Sequence, residues 1–355
     1  MAELVPPEPL RQVIDPDGDL NLKVGKAGEG NPRHAHKLPV VFVVCSRALA
    51  RASRVWKTLL FGGFAESKPH RASSASGWVV ELPDDDPQAM ATILNIIHCR
   101  FEFPPLNTSI ISLESFYELA VLTDKYNLAH ILRPWAPAWI KATKDKYESA
   151  IYGLPNALDL ERLSWIAWEM GDQDLYEKVS GDLILHCSVD GDGNLLNYTN
   201  YHMVTLYRST LEPPGQHDHL KKARLCIIEN ALAVYGKVIN MLLDKSHRGR
   251  ITCIRNYCDS SRATECESST LGTMIRSLAF TGYWPLPGTT DIRVNVKTLL
   301  SDLKAIKIVS PVHPNCLGVI ERDAKISSCA DTRLLPVLPS LVTRMAEQAE
   351  KSGIN

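Results

Sequence analysis

The chain is 355 residues long and 45% hydrophobic, with 39 basic against 40 acidic residues and a net charge of −1. That length exceeds one typical domain, and the balanced charge offers no general attraction to nucleic acid or anionic membrane. No apolar run approaches the about 20 residues needed to span a bilayer, and the N-terminus lacks the apolar core of a secretory signal.

Residues 1–14 are rich in proline and read as a flexible leader. Leu20, Leu22 and Val24 alternate with polar residues, the period-two signal of a half-buried strand. Lys26–Leu38 is a Gly, Pro and His loop, longer than a hairpin turn needs. Val40–Val44 is a continuous run of β-branched and aromatic residues, expected as a strand buried on both faces. From Ser46 to Leu60 the period changes, with Leu49, Ala52, Trp56, Leu59 and Leu60 at helical spacing. A Phe61-Gly-Gly-Phe64 turn stops the helices, a polar loop follows at Lys68–Gly77, and Val79–Leu82 gives another strand. Asp84-Asp85-Asp86 is read as a solvated helix start rather than a carboxylate cluster, with Asp86 as the cap and Pro87 in the first turn. Met90, Ile93, Leu94 and Ile97 form its apolar stripe. Ser112 caps a helix burying Leu113, Phe116, Tyr117, Ala120 and Val121, and Leu128–Ile140 continues helical, punctuated by Pro134 and Pro137.

The order strand, two short helices, glycine turn, strand, capped helix resembles a BTB/POZ domain, in detail those of fungal BTB proteins. The segments that carry the resemblance are Asp19–Gly25, Phe42–Ser67, Val79–His98 and Ser112–Leu132. The resemblance implies an α+β fold, a small mixed sheet flanked by helices, over residues 15–145. Cys45 stands where many animal BTB domains have His.

Beyond it the chain is expected to be all-α, as a helical region over 146–250 and a cysteine-containing helical region over 251–355. Leu160–Cys187 reads as two helices divided at Gly171-Asp172, and Asp190–Asn194 as a turn. His219–Lys245 is the longest expected helix, with Leu220, Ile227, Ala231, Val234, Val238 and Met241 stepping by four and three. That spacing suits either a helix packed along its own domain or a coiled-coil seam of about three heptads. Helices follow at Leu271–Phe280 and Asn295–Ile306, with a terminal one over Leu334–Lys351.

Nine cysteines in a chain of this kind are expected as thiols or metal ligands rather than as a disulfide framework. Cys258, Cys266, His313 and Cys316, with Cys253 as a substitute, form the one set with metal-ligand character. His313-x2-Cys316 has the chelating spacing of a structural zinc site. Scattered buried thiols are the expected reading, with a structural zinc site as the alternative. Fungal BTB proteins have a similar C-terminal block, here Cys258, Cys266-Glu267, Leu271-Gly272, Trp284-Pro285 and His313/Cys316. Other signals fail. Asp190-Gly-Asp192-Gly-Asn194 begins like a calcium loop, but Leu195 stands at the sharp-turn glycine and Tyr201 at the bidentate Glu. Gly25-x-x-Gly28-x-Gly30 lacks the Gly-Lys-Ser/Thr ending of a phosphate cradle. His98 and Cys99 close a helix with no evident partner.

The expected function is a non-enzymatic interaction protein, an adaptor or scaffold in the cytosol or nucleus. The resemblance implies surfaces for self-association as a homodimer or for a partner such as the cullin scaffold of a ubiquitin ligase. A nuclear BTB scaffold in transcription is the alternative. Neither tandem zinc fingers nor a basic region is present for direct DNA contact.

Overall fold

The computed structural model describes residues 10–26, 39–68, 77–103, 111–149, 157–199, 202–244, 260–309, 319–331 and 339–354. The loops at 26–38 and 68–77 fall almost entirely outside them. The chain is mixed α+β and divides into two units. The first comprises Met1–Tyr176, Ser209–Pro214 and Pro339–Asn355; the second comprises Glu177–Arg208 and Gly215–Leu338.

The first unit opens on four strands: β1 (Leu10–Val13), β2 (Leu20–Val24), β3 (Val40–Val44) and β4 (Val79–Leu82). They form one mixed sheet in the order β1-β3-β2-β4, with β2 antiparallel to β3 and parallel to β4. Leu22 stands between Phe42 and Val80 in the register. The alternation in β2 does what its period requires: Leu20, Leu22 and Val24 are buried, while Asn21 and Lys23 are half-buried. β1 is a strand where the sequence suggests only a loose lead-in. It lies parallel to β3 at the sheet edge with Leu10 67% and Val13 48% exposed, so little apolar patterning marks it.

Between β3 and β4 stand α1 (Ser46–Ala52) and α2 (Arg54–Phe61). Ser53 makes their corner, and its hydroxyl accepts from the Val55 and Trp56 amides and donates to the Tyr126 carbonyl at 2.6 Å. Trp56 stacks on Tyr126, with ring centroids 4.4 Å apart. Asp86 caps α3 (Pro87–Ile97), accepting from the Gln88 and Ala89 amides, and the helix buries Met90, Ile93 and Leu94. Ser112 caps α4 (Leu113–Tyr126). The helical stretch expected at Leu128–Ile140 is instead a 3-10 turn, Ala129–Leu132, followed by α5 (Ala136–Glu148) with Pro137 in its first turn. Pro134 falls in the break, where a missing N–H costs no helical bond.

α6 (Ala157–Met170) packs on α4, and α7 (Gln173–His186) follows after Gly171. The last helix, α12 (Pro339–Ser352), returns to this unit and packs on α6 and on the 3-10 turn. Gly171 has φ +85, and a Cβ there would clash with the Met345 carbonyl and the Ala349 amide. This is a position that only glycine satisfies on both counts.

The second unit departs from an all-helical C-terminal region by a three-stranded antiparallel meander: β5 (Ser188–Val189), β6 (Leu195–Thr199) and β7 (His202–Thr205). Polar residues interleave its strands, so the pattern in sequence is faint. Its described helices are α7 from Glu177 onward, α8 (Gln216–Leu243), α9 (Ser260–Phe280), α10 (Val296–Lys304) and α11 (Val319–Ser328). α8 packs against α9, α10 and α11 and buries Leu220, Ile227, Ile228, Ala231, Tyr235 and Ile239. Val234 and Val238, placed on the expected seam, are only half-buried. Arg224 is buried on the same helix and donates to the Ile292 and Val294 carbonyls at 2.8 and 2.7 Å. By length and composition α8 alone among the described helices is apolar enough to cross a membrane. It also buries an arginine and packs one face against α9, α10 and α11.

Candidate functional site

Of the candidate metal donors, Cys253, Cys258, His313 and Cys316 lie outside the described residues. Cys266 is buried in α9, 3% exposed, because that helix begins eleven residues before the expected Leu271. Among the described residues no three His, Cys, Asp or Glu side chains come together as a metal site.

The other residues singled out in sequence hold the fold. His98 does have a partner: its Nε2 accepts from the Cys45 amide at 3.0 Å while its Nδ1 faces the Leu94 carbonyl at 2.8 Å. That pair of bonds assigns the proton to Nδ1 and ties the end of α3 to the β3–α1 joint. The Asp84–Asp86 run is solvated only at Asp84. Asp85 and Asp86 are each 2% exposed, because Asp86 caps α3 and Asp85 accepts from Lys125 at 2.6 Å and from the Tyr126 hydroxyl. Burial, then the Asp85 charge, pushes the Tyr126 hydroxyl's pKa well up, so it stays a donor. Asp190 closes its own loop, accepting from the Asp192 and Asn194 amides at 2.9 and 2.8 Å, an Asx turn.

Two features of the first unit are not evident in the hydrophobic pattern. The first is the seat of α12. Gln348 donates to Glu169 Oε2 at 2.7 Å and to the Glu169 carbonyl at 3.1 Å, and Ser352 donates to the Met170 carbonyl at 2.7 Å. Arg344 lies 3.5 Å from Asp124, 3.6 Å from Glu169 and 5.3 Å from the centre of the Trp168 ring. Burial, reinforced by the Asp124 charge and opposed by Arg344 and Gln348, pushes Glu169 up to about 8. Burial also raises Asp124, against the pull of Arg344.

The second feature is a groove of about 930 Å³ at the α1–α2 corner. Arg47, Arg51, Arg54 and Lys57 line it, joined by Lys351 of α12, and no carboxylate does. His130 stands in it. Desolvation and the Lys351 charge hold His130 below its ordinary pKa, so at neutral pH it adds shape rather than charge. A signal was present in the sequence: no acidic residue occurs between Glu29 and Glu66, a local excess hidden by the balanced total. A smaller cavity of about 350 Å³ in the second unit lies along α8 and α11, where Glu321 and Arg322 offset each other.

What this arrangement offers is recognition by charge and shape on a fixed helical corner. No protein-family model matches the chain, and no curated protein or solved structure matches it either.

Proposed function

We propose that the chain is a protein-interaction adaptor or scaffold whose first unit is a BTB/POZ-type module, acting in the cytosol or nucleus. The observation that carries this reading is the element order in the first unit. Three strands are followed by two short helices meeting at a capping serine, then a fourth strand of the same mixed sheet, then an Asp-Pro-initiated helix and two more helices. This is the order that the resemblance requires, assembled on one core of Leu20, Leu22, Phe42, Trp56, Met90, Phe116 and Tyr126. A module of this kind acts through its outer surfaces. A partner of the cullin-scaffold class would make it a substrate adaptor of a ubiquitin ligase, and the second unit would then select the substrate.

The test is purification of the tagged full chain from its native cell, with cross-linking and mass spectrometry. Near-stoichiometric capture of a cullin, cross-linked to residues within 39–148, is the expected result. A different stoichiometric partner cross-linked to the same residues would make the protein a scaffold outside the ligase system. Capture of no partner at all would overturn the reading.

A further inference from the structure

We propose that the groove at the α1–α2 corner binds an acidic, partly apolar peptide segment of a partner protein. The inference rests on the adaptor reading and gives the chemistry of what that adaptor would hold. Its first support is charge left without an internal partner. Several other cations of the first unit close on carboxylates: Lys68 on Asp19 at 2.8 Å, Lys125 on Asp85 at 2.6 Å, Lys144 on Asp172 at 3.0 Å. Arg51, Arg54 and Lys57 are exposed, line one concavity, and make no ion pair with any described residue. Exposed cations gathered in one concavity with no carboxylate give it a positive potential. An incoming anionic side chain meets that potential and gains charge-assisted hydrogen bonds from the guanidinium groups.

The second support is shape. About 930 Å³ is room for a few residues, not for a folded domain. Ala50 and Phe61 give the lining an apolar part, and the Arg47 guanidinium sits 4.8 Å from the centre of the Phe61 ring. A segment with one apolar side chain between carboxylates matches that lining, whereas a lone phosphate would leave the apolar part uncovered.

The third support is rigidity. Three stretches distant in sequence build the groove, and each is pinned: the corner by Ser53 on the Tyr126 carbonyl, the 3-10 turn by its buried Ala129 and Leu132, and the end of α12 by Ser352 on the Met170 carbonyl. A preformed site spends little binding energy on ordering itself. Nucleic acid fits less well. It calls for a stripe of cations following a backbone and a series of aromatic faces on which successive bases stack, and the lining has Phe61 and His130 on separate stretches instead.

The experiment is fluorescence anisotropy of the full chain with a labelled peptide of alternating glutamate and leucine. A lysine-for-glutamate peptide and an oligothymidylate of equal negative charge serve as comparisons. The acidic peptide should bind saturably and more weakly at high salt, and the lysine peptide should not bind. Arg51→Glu, Arg54→Glu and Lys351→Glu should each weaken binding by about fivefold. Lys23→Glu, on the sheet and paired with Glu81, should leave it unchanged while shifting net charge equally. Because Arg51 and Arg54 are exposed, their variants should melt with the wild type. Absence of saturable binding, or equal weakening by Lys23→Glu, would overturn the proposal. So would tighter binding of the oligothymidylate in competition with the peptide. If the peptide behaves as expected but no partner is captured from the cell, the adaptor reading falls and the groove stands. If partners are captured but the peptide does not bind, the groove is lost and the adaptor reading stands.

Discussion

Glu169 carries its charge at a cost that depends on pH. Its carboxyl ordinarily titrates near 4.5, and in the folded unit at about 8. Between those values the folded chain holds a proton that the unfolded chain has released. Stability from this group therefore falls as pH rises from about 4.5 to about 8 and is level outside that window. Each pH unit is worth up to about 1.4 kcal/mol, and relaxation around the site reduces the total. Glu169→Gln keeps an oxygen to accept from Gln348 and removes the titration. We expect it to match the wild type near pH 5 and to exceed it by about 1–3 kcal/mol at pH 8. Parallel urea-melting curves for the two proteins across that range would show that Glu169 does not titrate as described. Ser53 is a second single-residue dependence. Ser53→Ala removes a helix cap and strands the Tyr126 carbonyl, so a loss of about 1–3 kcal/mol is expected by the same measurement.

At the scale of elements, helices that announce themselves by caps and period lie where the sequence puts them. Asp86-Pro87 and Ser112 open α3 and α4, and Asn295 opens α10. The strands that were missed, β1 and β5–β7, are short and at edges or interleaved with polar residues, so neither face carries a hydrophobic signature. The buried state of Asp85 was illegible because it depends on Lys125 and Tyr126, about forty residues away. The groove was half legible, its cations clustered in sequence but its third wall supplied from the end of the chain. Gly171 joins α6 to α7 with a left-handed backbone and α12 lying against it. Gly171→Ala suffers both the φ penalty and the clash, and it should cost about 2–4 kcal/mol, more than strain alone accounts for. A cost of under about 1 kcal/mol in chemical denaturation would mean that α12 yields easily.

The whole molecule is assembled from chain ends that a linear division would separate. The first unit takes its sheet and α1–α6 from the N-terminal half and α12 from the last sixteen residues described, 339–354. The sequence shows that α12 is amphipathic, but not which surface its apolar face meets, because its partners Asp124, Glu169 and Trp168 lie about 180 to 220 residues away. Leu341, Met345, Gln348 and Ser352 are buried on that surface, so a chain ending at 338 exposes it. We expect the truncated chain to melt lower than the full one and to exchange the amides of α6 faster. A synthetic peptide of residues 339–354 added in trans should then bind and restore part of the lost stability in proportion to its concentration. The Trp168 fluorescence should change on binding, because the Arg344 guanidinium returns to within 5.3 Å of the ring centre. An Arg344→Ala, Gln348→Ala peptide should bind at least tenfold more weakly, since it forfeits both the hydrogen bonds to Glu169 and the contact with Asp124. Failure of the unmodified peptide to bind the truncated chain, with no change in its melting, would place the stability of the first unit wholly in residues 10–176 and leave α12 a passive attachment.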